Sequence, residues 1–217
     1  MSKYTQDKNY IYYDNTNIPI NKLNIRDLKI LEEEERKLLL KGYEYFHEKL
    51  SEETVFDENY FRELHGKTFN KLYDFAGKYR NVNISKGYST FCQVRFLEQT
   101  SKEIFNKLEN DNYLKSYADK TKEDFTQKLA YYMCELIALH PFLELNGRII
   151  RLFFDMIVTY NGYEYIDYQD ALKMEEGENK YIKASIDCMT GYDNQIYQII
   201  LNGLKKVKES FPYLNIH

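Results

Sequence analysis

The chain has 217 residues, enough for one sizeable core, with 30 basic and 34 acidic residues and a formal charge of -4. That balance excludes a dedicated nucleic-acid binder, which needs a clear basic excess. The most apolar run, Leu152 to Val158, falls far short of the roughly 20 residues of a membrane span, and Met1 to Lys8 lead into no apolar signal segment. The expectation is one cytoplasmic domain over 1–217, without nucleic acid or membrane among its partners.

Cys92, Cys134 and Cys188 are odd in number and lack C-x-x-C spacing, so reduced thiols are expected rather than a disulfide framework or a zinc site. His47, His65, His140 and His217 are too scattered for a local metal pattern. A histidine that matters here acts singly.

In chain order, Asp27 to Leu50 reads as a long helix with Leu28, Leu31, Leu38, Leu39 and Tyr43 on one side and Glu32 to Glu35 crowding its first half. Helices are also expected over Ser51 to Phe69, Ser101 to Asn110 and Lys122 to Leu139, the last with Phe125, Leu129, Tyr132, Met133, Leu136 and Ile137 inward. Tyr79 to Arg95 breaks the helical period. Val82 and Ile84 alternate with Asn81, Asn83 and Ser85, and Lys86-Gly87 offers a turn before Tyr88 and Phe91, which predicts a short β-hairpin. Gly162 marks a helix end, and a closing helix is expected over about Gln195 to Ser210. The fold class is mainly α.

The informative segment is His140-Pro141-Phe142-Leu143-Glu144-Leu145-Asn146-Gly147-Arg148-Ile149-Ile150-Arg151, between two apolar helical runs. Pro141 stops the preceding helix and leaves His140 at its end. The following helix starts at Asn146-Gly147, where free backbone N–H groups and the macrodipole attract phosphate oxygens. Arg148 and Arg151, three apart, can lean toward the same anion. A histidine near its ordinary pKa can accept a hydroxyl proton, and Glu144 can hold Mg²⁺ among phosphates. Positioning and electrostatic stabilisation are what phosphoryl transfer chiefly needs.

This segment resembles the Fic signature H-P-F-x-[D/E]-G-N-[G/K]-R-x-x-R. Asn21 to Ile25, His65 to Phe69, Leu72 to Arg80 and Asn83 to Gly87 resemble the blocks that precede it in that family. The resemblance implies a compact Fic bundle of about eight helices with a hairpin flap beside the active site. It implies a core at about 60–195, an N-terminal helical segment over 1–55 and a C-terminal helix at about 195–210. It further implies transfer of AMP from ATP to a Ser, Thr or Tyr hydroxyl of a protein, self-modification included. His140 would be the base, Glu144 the Mg²⁺ ligand, Leu145, Asn146, Gly147 and Arg148 the cradle of the α- and β-phosphates, and Arg151 the γ-phosphate partner. Asn83, Ile84, Ser85, Lys86 and Gly87 would form a flap that pairs with an extended segment of the target. His65 is expected to be structural, and adenine contacts are expected around Tyr181 to Asn194.

Leu145 departs from the family, which has Gly there, so a reshaped nucleotide site is expected. The alternatives to AMP transfer are a Doc-like kinase, which has Lys where Gly147 stands, a transferase of another nucleotide or of phosphocholine, and a nucleotide-binding module with little turnover. The inhibitory pattern [S/T]-x-x-x-E-[G/N] has no full match; Glu35 is the nearest candidate, expected to pair with Arg151, and a separate inhibitory partner or no autoinhibition are the other options.

Overall fold

The computed structural model describes residues 5–6, 11–87, 89–118, 120–175 and 177–207. Among them are nine α-helices and one small sheet. The long first helix, α1 (Leu28–Lys49), starts where Asp27 Oδ1 accepts the Lys29 and Ile30 N–H groups at 2.9 and 3.1 Å. The second, α2 (Glu58–Phe69), begins seven residues later than its periodicity suggests. Residues 51–54 close a turn instead, and Asp57 caps Tyr60 N–H at 2.8 Å. Conversely, α3 (Val94–Asn110) starts seven residues earlier than expected, because Leu97 continues the buried stripe of Ser101, Ile104, Phe105 and Leu108.

After α4 (Lys115–Ala118), the central helix α5 (Lys122–Leu139) falls within its predicted bounds, with Thr121 capping Asp124 N–H. It packs against α3, α6 (Asn146–Tyr160), α8 (Lys180–Met189) and α9 (Asn194–Gly203). α6 is buried from Ile149 through Val158 apart from Arg151, as its nearly continuous apolar sequence requires. The short α7 (Gln169–Leu172) precedes α8, which sequence reasoning did not assign although Tyr181, Ala184 and Cys188 recur at helical spacing. Of the closing helix expected to Ser210, α9 ends at Gly203, and residues 208–210 lie outside the described residues, as does Tyr88 in the hairpin.

The sheet has the order β1 (Thr5–Gln6), β2 (Ile84–Lys86), β3 (Ser89–Thr90). The expected hairpin is β2–β3, with Gly87 at φ 60° between the strands. The unexpected strand is β1, whose Thr5 and Gln6 pair antiparallel with Ser85 and Ile84.

The cysteines correct the reading from spacing. Packing of α5 on α8 brings the Cα atoms of Cys134 and Cys188 to 4.9 Å and joins them in a disulfide across 54 residues, leaving Cys92 as the free thiol. Parity and C-x-x-C spacing are blind to pairs that meet through tertiary packing. No helix among the described residues is long and apolar enough to cross a membrane.

Candidate active site

The expected motif residues gather at the junction of α5 and α6. His140 takes a left-handed conformation at the end of α5, φ 45°, and its ring stacks on Phe91 with centroids 3.8 Å apart. Its Nδ1 lies 3.3 Å from the Ile137 carbonyl. A carbonyl accepts only, so this contact puts the proton on Nδ1 and the lone pair on Nε2, the tautomer that a general base acting through Nε2 requires.

The loop from His140 to Asn146 is fixed from within and from behind. Asn146 Oδ1 accepts Phe142 N–H at 2.8 Å, and its Nδ2 donates to the Phe142 carbonyl at 2.7 Å. The expected phosphate role of Asn146 therefore falls to its backbone, since the side chain is committed to locking the loop. Phe142 is fully buried against His65 and Phe61, as an anchor should be. His65 accepts Gly77 N–H on Nδ1 at 3.0 Å, so its Nε2 carries the proton and donates to the Glu144 carbonyl at 3.1 Å. Burial lowers its pKa to about 4, which keeps the ring neutral and the structural role intact.

Glu144 is 1% exposed, and Tyr12 donates its hydroxyl to Glu144 Oε1 at 2.6 Å. Among the described residues no group of three or more His, Cys, Asp or Glu could hold a metal. A single buried carboxylate fits Mg²⁺ whose other ligands are substrate phosphates and waters, and it does not fit an all-protein cage.

Leu145 sits at φ 67° as the N-cap of α6, with no side chain capping the N–H groups behind it. The left-handed backbone that favours Gly is thus present, and Leu adopts it at a cost of about 1–2 kcal/mol. Its side chain is 4% exposed and packs in the core, which offsets the strain.

Arg148 and Arg151 diverge. Arg148 Nη1 meets Glu35 Oε2 at 2.7 Å, and Glu35 Oε1 also accepts the Tyr73 hydroxyl at 2.5 Å. The expected Glu35–Arg151 pair is therefore corrected to Glu35–Arg148. Arg151 instead faces Tyr181, its guanidinium 4.9 Å from the ring centroid. One turn below it, Asp155 is buried, accepts from Tyr43 and Ile166, and is pushed by burial up to about 7.

Part of this group, without Glu144, opens onto a cleft of about 510 Å³, within the size range of small-ligand sites. His140, Leu145, Asn146, Gly147, Arg148 and Arg151 line one part of it; Tyr181, Ile182, Ile186 and Met189 give α8 a largely apolar wall, inside the segment expected to receive adenine. Lys86, Gly87, Ser89 and Phe91 border it from the flap. A larger hollow of about 790 Å³ near α7, α8 and α9 contains none of the motif residues.

The other flap residues divide in role. Ile84 is buried and Ser85 pairs with both Thr5 and Thr90, while Asn83 accepts Val94 N–H at 2.9 Å and so serves the start of α3. Sequence reasoning assigned no role to Arg80. It is buried without a salt-bridge partner among the described residues and donates to the carbonyls of Leu139 and His140 at the end of α5 and of Val82 and Cys92 at the flap base. Desolvation lowers it to about 10, still cationic at neutral pH, and the carboxyl end of a helix favours a cation.

A helical bundle whose His-to-Arg loop opens a buried helix beneath a β-hairpin is the arrangement of a Fic domain. The chain belongs to the Fic/DOC family, whose model matches residues 55–158. It is 32% identical over 206 residues, 94% of this chain, to the protein adenylyltransferase VbhT of Bartonella schoenbuchensis. It is 27% identical over 88% of this chain and 93% of the relative to a probable protein adenylyltransferase of Sinorhizobium fredii. The chain covers 41% of VbhT and 50% of the probable protein adenylyltransferase Fic of Escherichia coli. In fold it is similar to the BepC protein of Bartonella tribocorum with bound AMPPNP, at TM-score 0.74 and 20% identity over 91% of this chain and 97% of that one.

Proposed function

We propose that this protein transfers AMP from ATP to a hydroxyl side chain of a protein. The observation that carries the reading is His140, its Nδ1 set 3.3 Å from the Ile137 carbonyl, at the rim of a cleft that also holds an uncapped helix N-terminus and Arg151. Adenylyltransferase names among relatives and AMPPNP in the BepC structure support it. In this reading His140 Nε2 takes the hydroxyl proton. The hydroxyl oxygen forms a bond to the α-phosphorus, the bond from that phosphorus to the α,β-bridging oxygen breaks, and pyrophosphate leaves. The N–H groups of Asn146 and Gly147 and the Arg148 guanidinium hold the α- and β-phosphates, Arg151 the γ-phosphate, and the α8 wall receives adenine. Mg²⁺, held by Glu144 together with the phosphates, neutralises their charge when bound. The target lies extended along the flap, paired by backbone bonds. We assign the reaction to the cytoplasm, where ATP and Mg²⁺ are abundant.

ATP labelled separately at the α- and γ-phosphates tests the reaction type. AMP transfer places the α-label on protein and none of the γ-label; γ-label on protein identifies the kinase reading instead.

A further inference from the structure

The Cys134–Cys188 disulfide joins two walls of the cleft. Cys134 lies on α5 one turn before Ile137 and two before His140, both of which line the cleft. Cys188 lies on α8 one turn after Ser185 and beside Met189, which line the facing wall. The bond therefore ties that wall to the helix that carries the proposed base. Other anchors of α8 are few. Its buried residues are Tyr181, Ala184 and Cys188, and of these only Cys188 is on the last turn. Ala184 offers the core a single methyl, and the Tyr181 hydroxyl meets Met133 Sδ of α5 at 3.8 Å, two turns away from the bond. Past Met189 the chain leaves through a turn at Gly191, φ 85°, to Tyr192, which is 70% exposed.

In the compartment assigned above thiols are kept reduced, so a disulfide there is a conditional state rather than a fixture. The pair reaches it by exchange with a small-molecule disulfide. One protein thiolate attacks a sulfur of that molecule, its S–S bond breaks and one thiol leaves; the second protein thiolate attacks the mixed disulfide and releases the other thiol. The two cysteines lose two protons and two electrons, and the small molecule gains them as two thiols. Reduced, Cys134 and Cys188 are small apolar side chains in van der Waals contact. The last turn of α8, where Ile186 is exposed and Asp187 and Met189 are half-buried, then loses its one firm anchor.

We propose that the Cys134–Cys188 pair is a redox control on nucleotide binding: the disulfide holds the apolar wall of α8 in place, and its reduction frees Ser185, Ile186 and Met189 to move and weakens the site. By reciprocity, bound nucleotide strengthens the disulfide by the same factor. The proposal rests on the reading of the cleft as the nucleotide site.

The test uses the full chain and calorimetric titration of AMPPNP with Mg²⁺, once after oxidation by glutathione disulfide and once after reduction by dithiothreitol. The reduced protein should bind about tenfold more weakly, a coupling of ordinary size. In glutathione redox buffers, saturating AMPPNP should raise the equilibrium constant for the disulfide by the same factor. Cys188→Ser should bind like the reduced protein under both conditions. Equal affinity in the two states of the wild type overturns the inference and leaves the nucleotide site standing. A redox effect that persists in Cys188→Ser belongs to Cys92 and overturns it as well, as do Cys134 and Cys188 thiols that stay free in an oxidising glutathione buffer. Binding in neither state overturns the nucleotide reading and this inference together.

Discussion

The motif loop, residues 140–148, and the flap, residues 83–90, border the same cleft but are held in contrasting ways. The loop is locked by side chains: Asn146 closes it on Phe142, His65 holds the Glu144 carbonyl, and Phe91 stacks on His140. The flap is held chiefly by backbone pairing along strands of three and two residues, with Ile84 and Phe91 as its small buried cluster. A reacting centre gains from preorganisation, because charge that develops there meets dipoles already in place. A docking edge gains from bonds that any extended chain can replace.

Arg80 joins the two regions, and its removal should be the largest disturbance. Arg80→Ala leaves four buried or half-buried carbonyls without their cation, so denaturant unfolding should show a loss of about 4 kcal/mol, with the flap and the end of α5 loosening together in hydrogen exchange. Retained stability would mean that the two regions are held independently.

Leu145 and Gly87 sharpen the contrast, since both have left-handed backbones, at φ 67° and 60°. At Leu145 the side chain is in the core, and the burial lost in Leu145→Gly outweighs the strain relieved. A net destabilisation of about 2 kcal/mol is expected, together with a wider cleft. A Cβ at Gly87 meets nothing within 4 Å, so Gly87→Ala should cost about 1 kcal/mol, the backbone strain alone, in the same unfolding assay.

The same contrast governs what could be read in advance. The ends of α5, the position of α6 and the hairpin were legible because Thr121, Pro141, Gly87 and the apolar periods act locally. His140, Leu145, Asn146, Gly147, Arg148 and Arg151 reach one cleft because their spacing is itself local, although Arg148 and Arg151 turn to different partners. What escaped depends on distant chain: the Cys134–Cys188 bond, the strand β1, Arg80 at the end of α5, and Tyr12, 132 residues from Glu144. Glu35 was singled out for its charge, yet its partner depended on the packing of α1 against α6, which carries it to Arg148.

The most direct test of AMP transfer by the motif loop is the intact mass of the protein after incubation with Mg²⁺ and ATP, wild type beside His140→Ala. The account predicts a gain of one AMP per modified site in the wild type, slowed at least about a hundredfold in the variant. A gain of equal rate in both would contradict His140 as the base, and a phosphate-sized gain would contradict AMP transfer itself.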